Sequence, residues 1–570
     1  MNKDNLSKIS FAIAFLLMTF VFSSILITSV LFIFGVTIGL LQPILAIVVT
    51  LASSIFFWKE HKLLRFLIIL GAAVLLVFSS ASLTLITRDD TVDGTAYHEP
   101  AVGALRYGWN PVSETVQDFY KKGNPPFKLN PSDYGALWVN HYPKAHWIYG
   151  ANMYRLTGNI ETGRSMNVLV MFILLLLTFS YVIRIFKPGV ATLLALLVAF
   201  NPIGVTQLFS YYNDGMMGNL LFIMIVLLTV LIDKKRRSNN RIMLYAFLSM
   251  VIAIAINTKF TGFVYTAAYC LAYLLFMFIV KPTKNEYIKF MVAGVVALVV
   301  GVFIIGLSVY PKNFIQKGNP FYPLAGQGSV DIITSNEPAS FQGMRGIKKL
   351  FIANYSQTSN VSAGSGTEPS IKPPLTLGLS ELPSLSLVDA RIGGYGVWFS
   401  GVLTISILCI VGYACYVLVK RKWKYEFWLL TVPLVATIGL LLVVSDAWWA
   451  RYFPQMYVLP MAALIMLLAR KRAVIAAVLT STILFNIVLS MSIQFPAQHQ
   501  DIQYTNNELS LIDKLTDNGK YTPKVYLNGY AGYAYRFYDR YGKIDILSKP
   551  LDNYQGTNKL DLSKHILVYR

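Results

Sequence analysis

Apolar blocks of about 17 to 25 residues, each long enough to cross a hydrocarbon core as a helix, recur near 9–34, 36–58, 64–87, 166–186, 189–209, 216–232, 242–258, 262–280, 288–309, 396–419, 427–445, 453–469 and 473–492. They predict about thirteen transmembrane helices, with ends loose by a few residues. Three long polar segments remain, 88–165, 310–395 and 493–570. The pattern therefore predicts an all-α polytopic membrane domain over 1–492 that carries the first two segments as loops. A small α/β domain follows over 493–570. In that tail a helical period around 507–515 gives way to strand-like 525–527, an aromatic helical stretch at 531–538 and strand-like 544–547 and 565–569.

Composition agrees with this picture: 55% of residues are hydrophobic, 14% are charged, and the mean hydropathy is +0.54, far from a soluble domain. The formal charge of +21 reads as topology. With the N-terminus in the cytoplasm, Lys and Arg crowd the alternate short connections, where acids are few (Asp4, Glu60, Asp233, Glu286 and Glu426), as the positive-inside pattern requires. The basic balance thus points to a membrane and not to nucleic acid. The run Lys234-Lys235-Arg236-Arg237 is a topology determinant first and a site for anionic lipid head groups second. The first block is longer than a signal h-region and lacks a small-residue cleavage site, so it is read as a helix. Cys270, Cys409 and Cys415 all fall within predicted spans, which implies no disulfide framework.

This orientation puts the three polar segments outside, and the candidate chemistry gathers there. Asp89-Asp90-Thr91-Val92-Asp93-Gly94-Thr95-Ala96-Tyr97-His98-Glu99-Pro100 crowds carboxylates and an imidazole beside a bilayer face. Mutual repulsion and weak solvation there perturb at least one acid, the setting of a general base; a hydrated acidic loop is the plainer alternative. Asp214, in Tyr211-Tyr212-Asn213-Asp214-Gly215, opens a span, where helix capping competes with a chemical role. Lys259 closes a span with no other charge nearby and is a phosphate candidate. In Trp448-Trp449-Ala450-Arg451-Tyr452-Phe453-Pro454, Arg451 offers a fork of donors suited to phosphate, with snorkelling as the alternative. Lys144 and His146, in His141-Tyr142-Pro143-Lys144-Ala145-His146-Trp147-Ile148, could meet a phosphate or an acid, whereas an interfacial helix with Trp147 and Tyr149 in its aromatic belt explains the same residues.

Elsewhere, Tyr530, Tyr533, Tyr535 and Tyr538 form a face that would stack on sugars or pack against the membrane domain. The Gly/Ser/Thr-rich stretch 356–367 would suit a lid or a plain loop. Gly318-Asn319-Pro320-Phe321-Tyr322-Pro323 reads as an interfacial turn. No GxxxxGK[ST] phosphate loop and no HExxH pair occurs, so the sequence signatures of a P-loop ATPase and of that class of metalloprotease are missing.

The order Asp93, Tyr97, Ala101, Leu105, Gly108, Pro111, together with the 141–148 segment, Asp214, and Arg451-Tyr452 followed by Pro454, resembles the large membrane glycosyltransferases of the GT-C fold. That superfamily includes the protein O-mannosyltransferases and the lipid A aminoarabinose transferases. The resemblance implies a GT-C fold and a sugar donor linked to polyprenyl phosphate. It implies Asp93 as catalytic base, a donor phosphate held by Arg451, Lys259, Lys144 and Tyr452, and a substrate lined by Tyr97, His98, His146 and Asp214. Gly94 stands where many relatives carry a second acid, so Asp90 or Glu99 is expected to supply that carboxylate. The acceptor would be a hydroxyl of an envelope glycan, lipid or protein at the outer face of the cytoplasmic membrane, attacked with inversion. No cofactor is implied, and a divalent metal stays open. A transporter or flippase of lipid-linked or anionic solutes is the competing class, but it calls for polar residues and broken helices near the midplane, whereas these charges gather at one face.

Overall fold

The computed structural model describes residues 2–58, 63–122, 127–129, 132–233, 241–280, 283–420, 425–551 and 559–570; Glu60 and the basic run at 234–237 lie outside them. Among the described residues nine helices are long and apolar enough to cross a membrane: Lys3–Ile33, Leu41–Trp58, Leu63–Leu85, Ile160–Val182, Asp214–Ile232, Phe260–Ile279, Lys284–Ile305, Phe399–Lys420 and Ala473–Thr516. Four shorter apolar helices, Pro188–Ala199, Arg241–Ile256, Leu429–Val443 and Pro454–Ala469, stand at the other expected blocks. The chain is a multi-pass, mostly helical membrane protein.

Helices that are apolar all round separate by what covers them. Asp214–Ile232 is enclosed along nearly its whole length, while Leu41–Trp58 and Leu63–Leu85 leave most of theirs bare. Leu64, Phe78, Phe278, Leu408 and Val419 are exposed, an apolar surface that water would penalise and lipid tails accept.

Two features depart from the pattern of blocks. The expected span 189–209 breaks, because Pro202 has no N–H to continue the helix that ends at Ala199. The Asn201 side chain then caps the short helix Pro202–Thr206 by accepting from Gly204 N. Residues 207–213 thus descend without long-range helix and deliver Asp214 to the start of its own helix. The last block does not stop at 492 but continues as one 44-residue helix to Thr516, through Pro496. At 1.5 Å per residue that is about 66 Å, enough to cross the bilayer and carry the chain well beyond it. The periodicity at 507–515 is the far end of this helix, which stops where Asp517 turns left-handed at φ 53°.

Beyond it lies a four-stranded sheet of order β2-β1-β4-β3, built from β1 (Lys524–Tyr526), β2 (Asp545–Ile546), β3 (Lys559–Asp561) and β4 (Leu567–Tyr569). β1 pairs parallel with β2 across the helix Gly532–Tyr541, and antiparallel with β4. β3 was not anticipated: its three residues carry one apolar side chain between two charges. Val525, Tyr535, Phe537 and Val568 share one apolar core with Leu105, Trp109, Phe119 and Tyr120 of the first loop. The tyrosine face therefore packs, with Tyr535 stacked on Tyr107 at 5.9 Å and bonded to Tyr120. In the second loop, Ser356 and Ser359 sit in strand bridges to Ile371 and Ile392, and Thr358 N donates to Glu381 Oε2. Within the 356–367 stretch only Asn360 and 363–367 are exposed.

Candidate active site

Charges are tolerated at the ends of apolar helices and costly within them, and four such ends meet on one side of the bundle. Helix Leu63–Leu85 hands over to the segment with Asp93, and Asp214 opens helix Asp214–Ile232. Lys259 lies in the turn between Arg241–Ile256 and Phe260–Val280, and Arg451 lies in the single turn Ala450–Tyr452 ahead of Val458–Ala469. Together they line a cleft of about 660 Å³, to which the second loop contributes Asp331, Asn336, Asp389 and Arg391.

Arg451 is its centre. Nη1 lies 3.3 Å from Asp93 Oδ2 and 3.8 Å from Asp214 Oδ2, and Nε lies 3.0 Å from Asp389 Oδ1. The guanidinium also rides over the rings of Trp449 (4.5 Å) and Tyr212 (5.0 Å). Burial works against its charge, but Asp389 and its other anionic neighbours hold Arg451 protonated well above the usual range. Lys259 donates to Asp214 Oδ1 and stands 4.0 Å from the Tyr452 ring centre. Two of the carboxylates have further donors: Gln207 Nε2 donates to Asp214 Oδ2, and Trp449 Nε1 to Asp389 Oδ1. Burial pushes the Asp389 carboxyl up, with Arg451 opposing it. Asp93 keeps the long 3.3 Å contact and 20% side-chain exposure toward the cleft.

Behind the cleft, His98 Nδ1 accepts from Trp147 Nε1 at 2.8 Å and stands 3.2 Å from His146 Nε2. Burial pushes His98 well below the usual imidazole range and His146 down to about 3, so both rings are neutral at physiological pH.

Residues 140–305 match the family model described as dolichyl-phosphate-mannose-protein mannosyltransferase, a glycosyltransferase family of the GT-C type. Over this stretch, less than half of the chain, the protein is similar to GT-C membrane glycosyltransferases. The donor class of this family is a sugar carried on polyprenyl phosphate. The matched stretch holds His146, Asp214 and Lys259 and leaves Asp93, Asp389 and Arg451 outside it. No curated protein and no solved structure matches the chain.

Of the residues singled out in the sequence, the fold brings Asp93, Tyr97, His98, Asp214, Lys259, Arg451 and Tyr452 to one cleft. It does not bring Lys144, which is buried and donates from Nζ to the carbonyls of Asn140 and Tyr142, each at 2.9 Å. Burial pushes that ammonium well below its usual range, so Lys144 is a poor phosphate ligand here. His146 stands behind His98 and does not line the cleft.

Asp90 and Glu99, expected to supply the second acid, are both engaged by Arg536. Asp90 reaches the rim, but its Oδ1 accepts from Arg536 Nη1 and Tyr533 OH, both at 2.9 Å. Glu99 is fully buried, with Oε1 accepting from Arg536 Nη2 at 2.6 Å. Nor could position 94 hold an acid in this arrangement, because a Cβ there would lie 2.2 Å from Asp89 Oδ2 and 2.5 Å from Thr91 Oγ1. The further carboxylate on Arg451 is Asp389, which sequence reasoning missed; its only local signal is a lone acid in Leu387-Val388-Asp389. Asp89 also lines the cleft, and its Oδ2 accepts from Tyr211 N at 2.6 Å. Among the described residues no group of three or more His, Cys, Asp or Glu is arranged to hold a metal ion.

Proposed function

We propose that this glycosyltransferase moves a sugar from a polyprenyl-phosphate carrier to a hydroxyl of an envelope glycan, lipid or protein, with inversion, at the outer face of the cytoplasmic membrane. The observation that carries this reading is Asp93 within 3.3 Å of Arg451, 358 positions away in the chain, inside the cleft where four helix ends meet. The donor phosphodiester bears one negative charge and gains a second as its bond to the sugar breaks. Arg451 and Lys259 meet that growing charge, exchanging carboxylate contacts for phosphate oxygens. The leaving group departs as an anion and needs no proton. Asp93, released from Arg451 by the phosphate, takes the proton of the acceptor hydroxyl as its oxygen attacks in line. A single displacement inverts the anomeric centre. Tyr97 and Tyr212 line the cleft and present ring faces to the sugar.

The test uses purified enzyme in lipid vesicles with labelled polyprenyl-phosphate sugars and hydroxyl acceptors. Free polyprenyl phosphate and an inverted glycoside are expected as products. A wild type that releases neither from a panel of donors, yet moves the lipid between leaflets, would replace the transferase reading with transport. Sidedness is checked by cysteines introduced at 115 and 360, expected to react with an impermeant reagent in intact cells; reaction only after permeabilisation would put the cleft on the other face.

A further inference from the structure

One side chain of the tail grips the first loop on both sides of Asp93. Arg536, in helix Gly532–Tyr541, is 8% exposed. Its Nη2 donates to the Asp89 carbonyl at 2.5 Å and to Glu99 Oε1 at 2.6 Å, and its Nη1 donates to Asp90 Oδ1 at 2.9 Å. Nε lies 2.9 Å from Glu161 Oε1. Tyr533 OH gives Asp90 Oδ1 a further hydrogen bond, and Lys564 Nζ donates to the Asp90 carbonyl.

The grip extends into the membrane domain. Glu161 Oε2 accepts from Arg164 Nη2 at 2.5 Å, and that nitrogen also donates to the carbonyls of Thr84 and Thr87 where helix Leu63–Leu85 runs out. The loop is thus pinned at 84–90 and again at Glu99, with Asp93 on the short span between. The tail helix approaches closely: a Cβ on Gly532 would lie 2.2 Å from Glu99 Oε2. Burying so many charges is a weak source of stability, because desolvation offsets the Coulombic gain. What such a network secures is geometry, as both terminal nitrogens of the planar fork donate to fixed acceptors.

We infer that Arg536 is a positioning residue for the transfer proposed above, on which this inference rests: by holding Asp89, Asp90 and Glu99 it sets where Asp93 stands relative to Arg451. Arg536 lines no part of the cleft, so it acts on turnover through Asp93 and leaves phosphate recognition to Arg451 and Lys259. Displacing a reacting group by about 1 Å costs up to roughly 100-fold in rate.

The experiment compares full-length wild type with Arg536→Lys, which keeps the charge and loses the fork, and Tyr533→Phe, which removes one donor to Asp90. For Arg536→Lys we expect kcat to fall about 10-fold or more, donor KM to stay within about 2-fold, and amide exchange to quicken in 89–99 but not in the spans. Tyr533→Phe should move kcat the same way by less. A cavity of about 220 Å³ borders Arg536, Glu161 and Tyr533, so added guanidinium should restore part of the kcat of Arg536→Ala. If that variant does not fold, the other two carry the test. Unchanged kcat in Arg536→Lys while the wild type turns over would overturn positioning and leave the transfer standing, as would a joint fall of kcat, donor affinity and melting temperature without rescue. A wild type that transfers no sugar would remove both.

Discussion

Two arginines in this protein are each ringed by three carboxylates, and the surroundings assign them different work. Arg451 holds Asp93, Asp214 and Asp389 on the wall of a cleft. Arg536 holds Asp90, Glu99 and Glu161 where the tail meets the first loop. In the first ring Asp93 and Asp389 keep 20% and 19% side-chain exposure and Asp214 3%; in the second Asp90 keeps 28% but is held by Arg536 and Tyr533, while Glu99 and Glu161 keep 0% and 3%. A carboxylate buried away from the cleft, as Glu99 and Glu161 are, cannot reach a substrate proton. One that faces a cleft over a single 3.3 Å contact can. Charge type alone therefore does not single out the base; access and hydrogen-bond saturation do.

The comparison breaks most visibly through Asp93→Asn against Glu99→Gln. The first keeps shape and loses the proton acceptor, so turnover should drop by about 100-fold or more with donor binding retained. The second keeps an oxygen for Arg536 Nη2 but removes a buried acid that burial already pushes well above the usual carboxylate range, so melting temperature and yield should shift modestly while catalysis is largely kept. Kinetics and thermal melts on the purified variants decide it; a Glu99→Gln enzyme of normal stability that loses turnover as deeply as Asp93→Asn would erase the distinction. The next effect in size is at Arg451. Arg451→Ala should weaken donor use by roughly 100-fold, and Arg451→Lys by less, since a point charge still meets the phosphate without the bidentate fork. Equal, near-normal donor kinetics in both would make Arg451 a structural partner of its carboxylates, like Arg536.

Much of this was legible in the sequence because a bilayer imposes its own ruler. Thirteen apolar blocks stand as apolar helices, and Asp93, Asp214, Lys259 and Arg451 fall at helix ends that alternate topology brings to one side. Pro202 could have been read as the break it makes. What escaped depends on contacts across hundreds of residues. Asp389 sits in a loop with no span to locate it, and Glu161 and Arg536 declare their partnership only when the tail folds back on the first loop. Lys144 misled because neighbours in sequence do not fix where a side chain points: its ammonium turns inward to the carbonyls of Asn140 and Tyr142.

The smallest effect sharpens the boundary between the two regions, since neutral histidines are packed behind the cleft. His146 is pushed down to about 3, chiefly by burial, against about 6.5 in an unfolded chain. Between those values the unfolded state binds a proton that the folded state refuses, so stability falls as pH drops through that window, by about 1.4 kcal/mol per pH unit for this ring. Thermal melts at pH 7.5, 6.0 and 5.0 should show the decline setting in near pH 6.5. His146→Gln, which cannot charge, should have a shallower slope over the same range while keeping wild-type turnover, because the ring lies behind His98 and not on the cleft. An unchanged slope would mean that His146 titrates normally and that water reaches behind the cleft wall; a loss of turnover at unchanged stability would place the ring in the chemistry and merge the two regions.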